Sequence, residues 1–218
     1  MPEPRPAPDR KTVLIGKSIC RLAAVAPWAW PLIGPSVGRF FDRQAAGWDE
    51  RTMAGSAEHL ATLAAGLDSL ELKPERVLDL GCGTGAGTLF LAREFPTASI
   101  RGIDLSGEMI ASAQSKIGLD PDARVTFRVG DASKLPFGDG SFDLVTQVNM
   151  PVFFKEIARV LRPGGGVVIS SSLGDQTPFS TPERLVRRKL VSHGFGQVYA
   201  GAAGDGTWMA ATLGKPDE

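Results

Sequence analysis

The chain has 218 residues, enough for one domain with a substantial buried core. Its 24 Lys and Arg balance 24 Asp and Glu, so no global basic field points to nucleic acid as a partner. Two cysteines, Cys20 and Cys82, exclude a disulfide framework and fit a reducing cytoplasm, while 43% apolar and 22% charged residues exclude wholesale disorder.

Residues 1–10 carry Pro at positions 2, 4, 6 and 8 and almost nothing apolar, which predicts a mobile tail rather than a signal peptide. Residues 11–72 read as an N-terminal helical cap. Within it, the apolar stretch 19–41 contains Arg21 and Arg39 and is interrupted by Pro27, Pro31 and Pro35, so it predicts no membrane span. Peripheral membrane contact through 23–41, a lipophilic pocket wall or simple packing over the rest of the fold would all use Trp28 and Trp30. A clean amphipathic helix is expected over 56–70.

From Arg76 onward short apolar runs alternate with amphipathic segments, the pattern of βα units on a parallel sheet. Strands are expected at 76–80, 99–104, 125–129, 142–148, 166–171, 197–200 and 207–213. Helices are expected at 87–94, 106–116, 153–161 and 182–193, with Ser106 as an N-cap. The order is five βα units closed by a hairpin around the turn GAAGDG. The fold class is therefore α/β, a Rossmann-like doubly wound seven-stranded sheet over residues 73–218, with an antiparallel terminal strand and the N-terminal cap.

The first of these strands runs into VLDLGCGTGAG, residues 77–87. Gly81, Gly83 and Gly85 let the backbone turn sharply against a ligand, and the next helix aims its N–H groups at the same place. Gly81, Gly83 and Ala86 also satisfy the dinucleotide fingerprint, so the loop alone leaves a nicotinamide cofactor open. Three acids narrow the choice. Asp79 precedes the loop, where it can brace it or attract a cationic ligand group; Asp104 ends the second strand, where ribose hydroxyls are gripped; Asp131 follows the third, placed to accept from an adenine amino group above the small Ala132.

This set resembles the class I S-adenosylmethionine-dependent methyltransferases of the ubiquinone and menaquinone biosynthesis type, over about residues 41–171. The resemblance rests on VLDLGCGTG (77–85), GIDLS (102–106), GDASKLPF (130–137), SFDLV (141–145) and EIARVLRPGGGVVIS (156–170), with FFDRQAAGWDER similar to the family's cofactor lid. It implies S-adenosylmethionine as cofactor and S-adenosylhomocysteine as product, held by Trp48, Asp79, Gly81, Cys82, Gly83, Gly85, Asp104, Leu105, Met109, Asp131, Ala132 and Val148. It further implies a small-molecule acceptor, with the apolar cap favouring a lipophilic or aromatic one, and no metal, since the sulfonium is already an activated electrophile. Arsenite is disfavoured because the chain has only two cysteines. A non-catalytic S-adenosylmethionine sensor or scaffold shares all the binding motifs.

No catalytic residue is assigned. Asn149 in VNMPVF and His193 in SHGF are the two candidates, read against a turn residue and a residue preceding a strand. VNMPVF partly resembles the Asn-Pro-Pro-aromatic motif of amino-group methyltransferases, but Met150 stands second and the aromatic comes late, so that motif is not carried over. His59 is expected to be a surface or packing residue, and Cys82 a small packing residue rather than a reactive thiol. The run Arg184, Arg187, Arg188 and Lys189 is expected to form a solvated helix face. The connection after the fourth strand is short, so the acceptor would rely on the cap and on residues 173–181.

Overall fold

The computed structural model describes residues 10–118 and 123–214. The tail expected over 1–10 lies outside the described residues except for Arg10, which opens the first helix. Helices α1 (Arg10–Val25) and α2 (Trp30–Gln44) are bent by 116° about a 3-10 turn at Pro27–Ala29. The break falls where Pro27 cannot donate a backbone hydrogen bond to the preceding turn. Short α3 (Trp48–Thr52) and α4 (Ala57–Asp68) follow. Ser56 caps α4 by accepting the His59 N–H at 3.1 Å. No single helix among the described residues is long and apolar enough to cross a membrane.

The remaining elements are β1 (Arg76–Leu80), α5 (Ala86–Glu94), β2 (Ser99–Asp104), α6 (Gly107–Ser115), β3 (Val125–Val129), β4 (Phe142–Val148), α7 (Phe154–Val160), β5 (Leu161–Ser171), α8 (Glu183–Ser192), β6 (Phe195–Ala203) and β7 (Gly206–Leu213). They make one seven-stranded sheet in the order β3-β2-β1-β4-β5-β7-β6. β1 pairs in parallel with β2 and β4, whereas β7 runs antiparallel to both β5 and β6, as the alternating pattern and the Gly-rich turn predict. The order reverses between β1 and β4. In open α/β sheets that switch point opens a crevice beyond the carboxyl ends of the strands.

Neighbouring residues of each central strand face opposite sides of the sheet, so near-continuous apolar runs feed two cores. Leu78, Val145, Val167 and Ala211 join one core with Ile157 of α7 and Leu190 of α8. Val77, Leu144, Val168 and Ala210 join the other with Leu63 of α4, Leu91 of α5 and Ala113 of α6.

As the four expected helices imply, β3 and β4 are joined by residues 130–141 without a helix, so one of the five βα units lacks its helix. That loop is held instead by α7. Arg159 donates to the carbonyls of Leu135 (3.1 Å) and Phe137 (2.8 Å) and pairs with Asp139, while Glu156 accepts the Leu135 N–H at 2.7 Å. β5 departs from the expected 166–171 by starting at Leu161, because the RPGG segment is a bulge within it: Leu161 pairs with Phe142 and Gly166 with Leu144, and Gly164 takes φ 80°.

Candidate active site

The loop after β1 takes its shape from three left-handed glycines, Gly81 (φ 61°), Gly83 (φ 52°) and Gly85 (φ 87°). The Cys82 N–H is held by the Ile103 carbonyl at 3.0 Å, so the loop lies across the end of β2. At Gly81 a Cβ would stand 2.6 Å from the Met150 sulfur, whereas at Gly83 it would meet nothing within 4 Å.

The three acids converge on this loop with different partners. Asp79 is buried, and its two carboxylate oxygens accept from Thr88 of α5 (2.7 Å) and Thr146 of β4 (3.0 Å), tying three elements together. Burial pushes its carboxyl up to about 6, against the two hydroxyl donors that favour the charged form. Asp104 accepts the Gly83 N–H at 2.9 Å and the Ser106 N–H at 2.8 Å, thereby fixing both the glycine loop and the start of α6. Burial raises its pKa too, and those backbone bonds oppose the rise. Asp131 accepts the Ser133 N–H at 2.8 Å and the indole N–H of Trp30 at 3.0 and 3.1 Å to its two oxygens.

The cap closes over this end of the sheet through three polar ties. Trp30 holds Asp131, with its ring edge-on to Phe153 at 5.0 Å between centroids. Asp42 at the end of α2 accepts the Ser106 hydroxyl at 2.6 Å, adding a second carboxylate at the N-terminus of α6. Asp49 of α3 accepts from Thr84 in the glycine loop and from Lys116, whose ammonium also reaches the Thr84 carbonyl at 2.7 Å. Phe41 packs against Trp48 and Phe179 at 5.7 and 5.3 Å, forming an aromatic wall.

Between sheet and cap lies a cavity of about 150 Å³. At the roughly 10–15 Å³ that one water needs, it holds about ten waters, the bulk of a nucleoside. Trp48, Asp79, Gly81, Cys82, Gly83 and Asp104 line it, as do Leu105, Met109, Asp131, Ala132, Val148 and Asn149. Gly85 does not. A Cβ there would meet Phe127 at 2.7 Å and Ala113 at 3.1 Å, so Gly85 shapes the turn from behind rather than touching the cavity. His193 also lies away from it, capping the end of α8 with Nδ1 2.8 Å from the Lys189 carbonyl. Asn149 lines the cavity but is committed elsewhere: at φ 54° it donates to the Ser172 hydroxyl at 2.8 Å and accepts the Ser172 N–H at 2.9 Å, bracing the ends of β4 and β5. Burial and the neighbouring carboxylates push the Cys82 thiol well up, leaving it a protonated packing group.

Two wall residues fall where the sequence pointed, Trp30 in the apolar cap and Phe179 within residues 173–181, but the Trp30–Asp131 bond across 101 positions and the place of Met150 beside Gly81 carried no signal. His59, expected at the surface or in packing, stands on the cavity wall because the Ser56 cap sets the first turn of α4 against it.

Residues 77–165 match a family model described as a methyltransferase domain. Over that stretch the chain is similar to the methyltransferase-domain family. The domain is similar to the fatty-acid O-methyltransferase of Mycolicibacterium smegmatis, 40% identical over 102 residues that cover 44% of this chain and 36% of that protein. It is also similar to the 2-methyl-6-phytyl-1,4-hydroquinone methyltransferase of Synechocystis, 34% identical over 167 residues, 71% of this chain and 50% of that one. The chain thus spans about half or less of these relatives' length. Among solved structures the cyclase SpnF superposes with a TM-score of 0.67 at 20% identity, covering 84% of this chain and 97% of that chain. This last likeness speaks for the fold and not for a reaction.

Proposed function

We propose that this chain transfers a methyl group from S-adenosylmethionine to a small acceptor of lipophilic or aromatic character. The observation that carries the reading is the convergence of Asp79, Asp104 and Asp131 with the glycine loop on one nucleoside-sized cavity at the switch point. The donor set fits the cofactor. Asp104 keeps lone pairs free for two ribose hydroxyls beyond the two N–H groups it already accepts, Asp131 has capacity for an adenine amino group, and buried Asp79 faces the end of the cavity where a cationic group gains most. When bound, the cofactor supplies a methyl carbon already activated by its sulfonium. The protein's part is to align the acceptor and exclude water, which the wall of Phe41, Trp48 and Phe179 does. The two relatives are named for fatty-acid and hydroquinone substrates, which supports a lipophilic acceptor. Nucleic acid has no part in this reading. In the same reading residues 11–72 act as the lid of a domain over 73–218, and buried, protonated Cys20 and Cys82 suit a reducing cytoplasm.

The test is a thermal midpoint with S-adenosylmethionine, S-adenosylhomocysteine or NADH, followed by S-adenosylhomocysteine release with fatty-acid and hydroquinone acceptors. A ligand at about 100 times its Kd adds roughly 2.7 kcal/mol. For a domain of this size that raises Tm by about 5–10 °C. The two sulfur ligands should produce the shift and NADH none. No shift with either sulfur ligand would defeat the reading, and a shift without turnover on any acceptor would favour a sensor.

Asp79 gives the binding a pH signature. Its folded pKa lies above that of a free carboxyl, so protonation stabilises the fold, and this contribution is lost as pH rises from about 4 to about 6. A cationic ligand favours the ionised form, so S-adenosylmethionine affinity should level off above about pH 6 and fall by up to tenfold per unit below it. Calorimetric titration across this range should show the slope in the wild type and a flat profile in Asp79→Asn. An equal slope in both would assign the dependence to another group.

A further inference from the structure

We propose that the outer face of the α1–α2 hairpin docks on the surface of an anionic lipid bilayer. Of ten large apolar side chains exposed among the described residues, seven lie on these two helices and the turn between them: Leu14, Ile15, Leu22, Val25, Trp28, Leu32 and Phe40. Trp28 at the bend is 79% exposed and Leu32, one turn on, is 80% exposed. The 116° bend sets the two helices at an angle with Trp28 at the apex, so neither spans a bilayer, yet the apex and the flanking turns present apolar groups outward together.

Charge decides the occupant. Residues 10–41 hold Arg10, Lys11, Lys17, Arg21 and Arg39 and no acid, in a chain whose net charge is zero. Arg10, Lys11, Arg21 and Arg39 are exposed beside the apolar groups. A soluble apolar partner would gain nothing from such a one-signed surround. An anionic headgroup layer would, while the apolar side chains enter the acyl boundary and Trp28 sits at the interface. The opposite sides of the same helices face inward: Trp30, Val37 and Phe41 line the cavity and Cys20, Ala23 and Ala24 are buried. Docking would place the bilayer about one helix diameter, roughly 10 Å, from the cavity. The proposal stands on the surface alone and holds whether or not the chain transfers methyl groups.

The test is flotation of the full chain with vesicles of phosphatidylcholine, alone or mixed with phosphatidylglycerol, at low and high salt. The chain should float with the mixed vesicles at low salt, and partition should drop at least about tenfold when salt screens the headgroups. Trp28→Asp with Leu32→Asp should abolish flotation while leaving Tm within about 2 °C, since neither side chain is buried. Arg21→Glu with Arg39→Glu should erase the preference for the anionic vesicles. No flotation at low salt, or flotation that the Asp pair does not weaken, would overturn the proposal. So would concentration-dependent dimerisation that the Asp pair dissociates without any vesicle binding, which would make the face a contact between copies of the chain.

Discussion

Replacing Asp104 by Ala should weaken S-adenosylmethionine and S-adenosylhomocysteine about hundredfold or more. Two ribose hydroxyls that each donate to a carboxylate are worth about 1.5–3 kcal/mol apiece, and hundredfold corresponds to about 2.7 kcal/mol. The loss has a second source within the protein. Asp104 also holds the Gly83 and Ser106 N–H groups, so Ala leaves two donors without partners and frees the glycine loop at its closest approach to the cavity. Asp104→Asn separates the two effects. Its amide oxygen can still accept one N–H, so the fold should keep most of its Tm while the affinity falls nearly as far. Calorimetric titration of both variants with both ligands reads this directly. An affinity within about threefold of wild type in Asp104→Ala would remove Asp104 from ribose recognition.

Gly85→Ala should be far more damaging to the fold than Gly83→Ala. At φ 87° any Cβ pays about 1–2 kcal/mol for the left-handed backbone. The added carbon would also stand 2.7 Å from the buried Phe127 ring and 3.1 Å from Ala113, an overlap worth about 1–3 kcal/mol more. The sum is about 3 kcal/mol, or a Tm lowered by about 6–12 °C. Gly83→Ala is the paired control. At φ 52° its backbone cost is similar, but its Cβ projects into open space on the cavity side. It should lower Tm by only about a third as much and weaken cofactor binding more than Gly85→Ala does. Equal Tm losses would mean that Phe127 yields to the methyl group without cost.

The two glycines show how far the sequence speaks. Both were legible as parts of one ligand loop, because a left-handed requirement and a G-x-G spacing are local. Which of them faces the ligand depends on Phe127 and Ala113, brought in by β3 and α6, and no local pattern encodes that. The same boundary runs through the rest of the molecule. The strand and helix spans, the antiparallel terminal hairpin and the cap at Ser106 follow from periodicity and turn chemistry within short windows. The Trp30–Asp131 contact, His59 on the cavity wall and the saturated amide of Asn149 are products of tertiary packing between distant segments. His193 illustrates the reverse. As one of only two histidines it stood out in the sequence, yet its ring serves the carbonyl end of its own helix.

Over the cavity, α2 and α3 are tied by side-chain hydrogen bonds to the strand ends that carry the proposed ligand contacts: Trp30 to Asp131, Asp42 to Ser106, and Asp49 to Thr84 and Lys116. A ligand enclosed by the cap therefore reports two equilibria at once, its own contacts and the fraction of molecules in which the cap is shut. The apparent Kd is the intrinsic one divided by that fraction. Substitutions in α2 or α3 that touch no ligand atom will then register as changes in affinity. They will change the binding of every occupant by the same factor, whereas changes in the glycine loop will discriminate between occupants. On the proposed function, selectivity and sensitivity are then carried by different parts of the chain, the carboxyl ends of the strands choosing the ligand and α2 with α3 setting how much of it is needed.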